Sequence, residues 1–289
     1  MQIQKSFQDH IATLFLVSTP IGNLSDMTPR AVETLRAASV IASEDTRRTM
    51  KLCTHFEIAT PLVSYHEHNK HQKTQTILNR LSRGEMIALV SDAGMPLISD
   101  PGDKLVAAVL AAGYAVVPIP GANAALTALI ASGLSPQPYL FYGFLKRQQS
   151  KRRAQLLTLA NAPATLIFYE SPHRLKGTLK LMLDIFGNRR VVVARELTKM
   201  FEEFLRGTIC ELLEHLQDVK GEVVLLVEGN YSALEVDIWW EDMSIHEHVD
   251  HYISLGMKTN AAIKQVATDL ELVRQDVYKK YHDKSIKDL

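Results

Sequence analysis

Only two cysteines, Cys53 and Cys210, occur among the 289 residues. That number rules out a disulfide framework, argues against a cysteine-built zinc site, and suits a reducing compartment. An excess of charge of either sign is also missing, since 32 Lys and Arg balance 32 Asp and Glu. A protein that binds polyanions over its whole surface is therefore not expected, although a local basic patch stays possible. No run reaches the roughly 18 consecutive apolar residues of a membrane helix, and the polar opening MQIQKSFQDH has no signal-peptide core. A soluble, cytoplasmic protein without membrane contact is the expectation. Two phosphate-binding signatures are absent as well, G-x-G-x-x-G and G-K-[ST], so neither a Rossmann dinucleotide site nor a P-loop is supported.

What is present is an alternation of short apolar runs with helical patterns. Leu14–Ser18, Val40–Ala42, Leu62–Tyr65, Met86–Ser91 and Ala115–Ile119 are predicted strands, with helices between most of them. The pattern predicts an α/β fold with a largely parallel sheet. Thr28-Pro29 and Ser171-Pro172 predict helix starts, and so does Asp100-Pro101, with Asp100 as cap and the helix ending at Gly113. A second α/β domain follows a linker near Ser135–Pro138. Its predicted strands are Tyr139–Phe144, Thr165–Tyr169, Arg190–Arg195, Glu203–Arg206 and Glu222–Glu228, with helices at about 150–161, 172–186 and 208–217. From Ser232 the texture is helical, at Ser244–Leu255, Asn260–Thr268 and Leu272–His282, and resembles a helix-turn-helix. Three segments result: 1–134, 135–231 and a small helical appendage at 232–289.

Polar clusters follow the strands. The loop Asp92–Gly102 brings two carboxylates, Asp92 and Asp100, among residues that let a ligand approach the backbone closely. Asp100 is divided between helix cap and site residue. Ser18–Asp26, the turn at Pro120–Asn123, and Glu44-Asp45 with Arg47-Arg48 lie at other strand ends. The last group either holds a polar substrate or pairs internally. Tyr65–Asn69 contains H-x-H, but without a third ligand it reads as a loop at the mouth of a cleft and no metal is expected. Tyr169–Arg174 and Ala194–Lys199 add two clusters from the second domain, and together the clusters describe an interdomain cleft. Lys146–Arg153 carries five cations in eight residues, a solvated loop or a contact for a phosphate backbone; Lys258, Lys264, Arg274, Lys279 and Lys280 can extend it.

The strings STPIGNLSDMTPRA, ASEDTRRT, SDAGMPLISDPG, PIPGANAAL, YESPHR and ARELTK, in this order, resemble the tetrapyrrole-methylase-fold methyltransferases. Within that fold the chain looks like the ribosomal RNA small subunit methyltransferase I family, over about Thr13 to Gly229 and with the C-terminal helices also fitting. The resemblance implies transfer of a methyl group from S-adenosylmethionine to a ribose 2′-hydroxyl of a cytidine in the decoding region of 16S rRNA. It implies small-subunit rRNA or the assembled small subunit as partner, a homodimer, and a donor held between the two α/β domains. By motif, the donor contacts are Pro20, Asp92, Met95, Asn123, Ala124, Tyr169, Ala194 and Glu222.

An activated sulfonium methyl leaves alignment and acceptor deprotonation to the protein. Asp100, Asp45, Glu170 and Glu196 are the candidate general bases, with Asp100 placed first. Arg47, Arg174 and Lys199 are candidates for holding phosphate or polarising the hydroxyl. Two rivals remain: methylation of a small tetrapyrrole-like metabolite, and a non-catalytic RNA-binding ribosome assembly factor.

Overall fold

The computed structural model describes residues 3, 4, 6, 12–216, 219–231, 239, 240 and 242–283. Most of the polar N-terminal stretch and of residues 232–241 lies outside them.

Five parallel strands make the first sheet: β1 (Thr13–Val17), β2 (Val40–Ser43), β3 (Leu62–Ser64), β4 (Ile87–Val90) and β5 (Ala115–Ile119), in the order β3-β2-β4-β1-β5. β2 and β4 are buried throughout, as parallel strands covered on both faces must be, which is why they read as unbroken apolar runs. On one face, α1 (Pro29–Ala37) and α2 (Thr46–His55) place Ala31, Leu35 and Cys53 against Val17, Ile41 and Val90. On the other, α3 (Lys70–Leu81) and α4 (Asp103–Ala111) place Ile77, Leu81, Leu105 and Val109 against Leu14, Val40 and Leu89. The neighbours β1 and β4 thus lead to helices on opposite faces. Their loops diverge at the carboxyl edge and open a crevice there.

Thr28 caps α1 with Pro29 in its first turn, as the sequence predicts. The predicted start at Asp100-Pro101 is corrected. α4 begins at Asp103, and its N-cap position is Gly102 at φ +145°. A Cβ there would lie 3.0 Å from side-chain atoms of Leu89 and Leu97, so the chain passes too close to the core for any residue but glycine. Leu97 and Ser99 also hold left-handed backbone, at φ +72° and +69°. The loop folds back on itself before the helix starts, and Asp100 is released from capping.

The second sheet has the order β6-β7-β10-β8-β9. Its strands are β6 (Tyr139–Phe144), β7 (Thr165–Glu170), β8 (Arg190–Arg195), β9 (Glu203–Thr208) and β10 (Val223–Val227). β6 and β7 are parallel, but β10 inserts antiparallel between β7 and β8, and β9 is antiparallel to β8. The first sheet is parallel, as its alternation predicts, and the second is mixed. Helices α6 (Gln149–Leu159), α7 (Pro172–Phe186) and α8 (Ile209–His215) cover one face, with Leu156, Leu179, Met182 and Leu212 over Phe168, Val191 and Leu225.

The opposite face is covered by α5 (Ala124–Ser132), whose Ala125, Ala128 and Leu129 pack on Ile167, Val192, Ala194 and Leu226. This helix follows β5 in the chain but seals the second sheet, which explains the apolar face it turns to that sheet. Met1–Tyr231 is consequently one compact unit, and Ser232–Leu289 is another. In the latter, α9 (Ile245–Ser254), α10 (Thr259–Asp269) and α11 (Arg274–His282) pack around Val249, Ile263, Val266 and Val277.

Candidate active site

A cavity of about 380 Å³ lies where the edges of the two sheets meet. The first sheet contributes the loops after β1, β4 and β5. The second contributes the ends of β6 and β7, Leu197 in the loop after β8, and the start of β10, which runs antiparallel and so begins at the same edge. The crevice is held in shape by backbone. Thr19 and Gly94 exchange N–H···O bonds of 2.9 and 3.0 Å, tying the loops after β1 and β4 together. Across the cavity, a bulge in β6 at Gly143 makes room for Ser99, whose hydroxyl would lie 3.0 Å from a Cβ at that position.

Asp92 heads the loop after β4. Its Oδ1 accepts the backbone N–H of Asp45 at 3.0 Å, and its Oδ2 stands 3.4 Å from the Arg48 guanidinium. Asn123 caps α5 by accepting the Leu126 N–H, while its amide donates to Met95 Sδ at 3.4 Å. The Tyr169 ring sits edge-on to Phe141 and Phe144, and burial pushes its hydroxyl pKa up.

Asp100 differs from every other carboxylate in the cavity. No hydrogen-bond donor among the described residues reaches it. Burial first, then the negative charges of Glu44 and Asp92, raise its pKa to about 7. Burial and Asp92 also raise that of Glu44. A half-buried acid that titrates near neutrality and has no structural partner is poised to exchange a proton with a bound hydroxyl.

The other predicted acids are occupied. Asp45 caps α2 and forks onto Arg47, whose hydrogen bonds hold the Asp45 carboxyl at about 2; Arg47 itself is 88% exposed. Neither residue lines the cavity. Glu170 does line it, but its carboxylate is buried and accepts the Ser171 N–H at 2.8 Å and the Thr178 hydroxyl at 2.7 Å, with Arg174 Nε at 3.3 Å. Glu196 accepts from Lys199 at 2.9 Å and from the Glu222 N–H at 3.0 Å, and the Lys199 bond holds it below the usual carboxylate range. Lys199 also bridges to Glu222 at 3.1 Å, and neither Glu196 nor Lys199 lines the cavity. Among the described residues, no group of three His, Cys, Asp or Glu side chains could hold a metal ion.

The model of the tetrapyrrole (corrin/porphyrin) methylases matches residues 13–213. A protein of Halalkalibacterium halodurans named ribosomal RNA small subunit methyltransferase I is 55% identical over 287 residues, covering 98% of this chain and 99% of its own. The like-named protein of Bacillus subtilis is 52% identical, covering 97% and 98%. The chain belongs to the ribosomal RNA small subunit methyltransferase I family. A crystal structure of uroporphyrin-III-C-methyltransferase from Thermus thermophilus shares the fold, with a TM-score of 0.54 at 19% identity over 77% of this chain and 97% of its own.

For this member of the methyltransferase I family, the cavity gathers Asp92, Met95, Asn123, Ala124, Tyr169 and Glu222 of the expected donor contacts, and Asp100 and Glu170 of the expected acids. Pro20 and Ala194 are not in its wall. Ile21 takes the first position, and Ala194 is fully buried beneath α5. Sequence reasoning did not single out Ile21, Ser99, Leu197 and Gly221, which do line it. Of the arginine pair in the cluster after β2, Arg48 lines it and Arg47 does not: three residues beyond the Asp45 cap, Arg48 returns to the cavity side of α2.

Proposed function

We propose that this protein transfers the methyl group of S-adenosylmethionine to a ribose 2′-hydroxyl of a decoding-region cytidine in 16S rRNA. The observation that carries this is Asp100, an unpartnered carboxyl with a pKa of about 7 in the wall of the cavity. The cavity volume falls within the roughly 300–1,000 Å³ of ligand pockets. Apolar walls from Ile21, Met95, Ala124 and Val224 face a few polar groups, Asp92, Asn123 and Ser99, a mixture that suits an adenosine with a polar tail. Acidic charge from Asp92 suits a cationic donor. The donor, when bound, supplies an activated methyl group. Asp92 and the loop after β5 hold and orient it; Asp100 takes the proton of the ribose hydroxyl; the apolar walls exclude water.

A homodimer working in the cytoplasm on small-subunit rRNA, free or assembled, completes the proposal. Ile130, Met200 and Phe201 are 81, 90 and 69% exposed, apolar surface suited to a second copy. Among the described residues, no helix is long and apolar enough to cross a membrane.

The test is transfer of labelled methyl groups from S-adenosylmethionine to naked 16S rRNA, to small subunits and to a porphyrinogen, followed by mapping of 2′-O-methylation. Label on a cytidine ribose of the rRNA is expected. Label on the porphyrinogen alone would overturn the proposal, and failure to bind the donor would favour an assembly factor. Light scattering reports the dimer.

A further inference from the structure

α11 is held to its unit by little of its own surface. Val277 is its one fully buried residue, and Tyr281, whose hydroxyl donates to Asp250 at 2.6 Å, is half-buried. At 100° per residue these two mark the inward side. Arg274, Gln275, Tyr278, Lys279 and His282 fan continuously across the flank and the outward side, and all five are exposed. No acid interrupts this fan, because Asp276 and Asp283 fall on the opposite flank. Among the described residues, neither Arg274 nor Lys279 has an ion pair. Tyr278 is 47% exposed, with its ring 4.3 Å from that of His282.

Cations flanking a close, tilted aromatic pair, with no ion pair among the described residues, are what a surface needs to grip phosphates and stack on an unpaired base. An acidic protein would match the cations but leave the Tyr278–His282 platform unused. The whole unit also lies beyond residues 13–213, the span of the methylase family model. We propose that the outward face of α11 contacts the RNA substrate, with Arg274 and Lys279 on phosphates and Tyr278 stacked on a base. This rests on RNA being the substrate, as proposed above, and adds where outside the cavity that RNA is held.

The experiment uses the full chain with a 16S rRNA transcript and with purified small subunits. It measures binding as a function of salt, methyl transfer, and donor binding by calorimetry. The double variant Arg274→Ala/Lys279→Ala is expected to weaken transcript binding and to reduce the salt slope by about two. Tyr278→Ala should weaken binding on the order of tenfold at every salt concentration, with Tyr278→Phe restoring it. All three sites are exposed, so circular dichroism and donor affinity should not change. An unaltered slope together with unaltered KM would overturn the assignment. Loss of binding to subunits but not to the transcript would also overturn it, by assigning the face to a ribosomal protein. A wild-type chain that binds the transcript through these residues but transfers no methyl group would refute the methylation proposal and leave this one standing.

Discussion

The Asp92 carboxylate accepts the backbone N–H of Asp45 at 3.0 Å, joining the loop after β4 to the start of α2. One oxygen of a cavity-lining acid thus organises the neighbouring strand end, while the other faces Arg48 at 3.4 Å. The two functions separate by substitution. Asp92→Asn keeps an acceptor for the Asp45 N–H and removes the charge, so donor affinity should fall about tenfold with little change in Tm. Asp92→Ala should lose the same affinity and also about 1 kcal/mol of stability. Calorimetry with S-adenosylmethionine and thermal melts decide; equal melting of both variants would remove the structural role.

Asp100→Asn should lower single-turnover methylation by about 10²–10⁴-fold with donor binding intact. In the wild type, kcat/KM should rise with pH and level off above about 7, where Asp100 loses its proton. An undiminished rate in the variant would exclude Asp100 as the base.

The same residue should leave a mark on stability. Its folded pKa lies above the unfolded value, so the native state binds more protons between about pH 4 and 7, and stability falls as pH rises through that window. Asp100→Asn should therefore melt higher than wild type at pH 8, at about 2–4 °C for each kcal/mol recovered, and the difference should vanish near pH 4. A variant that melts lower at pH 8 would contradict the burial of an unpaired charge.

Glu170 is expected to act on the fold and not on the proton. Glu170→Ala leaves the Thr178 hydroxyl and the Ser171 N–H without their acceptor and the Arg174 charge without its carboxylate, and should cost about 3–5 kcal/mol in urea unfolding. Glu170→Gln should cost less and keep most activity at temperatures where it is folded. A fully stable but inactive Gln variant would make Glu170 catalytic after all.

In the C-terminal unit, His248 is fully buried against the rings of Trp239, Trp240 and Tyr252, with Asp269 Oδ2 3.2 Å from its Nε2. Burial lowers its pKa, against the opposing pull of Asp269 and with a smaller push from His251. The unfolded chain then binds the proton more readily, so this unit should lose stability as pH falls through about 6.5, the unperturbed histidine value. Trp239 and Trp240 are the only tryptophans in the chain, so their emission follows this unit alone. The urea midpoint by fluorescence should fall between pH 7 and 5.5, and His248→Phe should flatten that dependence. A midpoint that rises toward acid would mean that Asp269 dominates.

Local chemistry made much of this molecule legible in the sequence. Runs such as Ile87–Val90 and Val223–Val227 can only be buried strands, Thr28-Pro29 and Ser171-Pro172 can start helices, and the order of the polar strand ends specifies the family. The sequence by itself determined the ten strands, the alternation and the edge at which ligands gather. Tertiary structure decided what depends on distant partners. β10 enters between β7 and β8 because pairing is chosen by the whole sheet, and no local pattern records strand direction. α5 closes the second sheet although it follows the first. Asp45, Glu170 and Glu196 look as reactive as Asp100 in one dimension, but each finds donors in the fold that fix its charge. Asp100 finds none among the described residues, because close packing at Gly102 delays the helix it was expected to cap; a carboxylate's role is set by its neighbours in space.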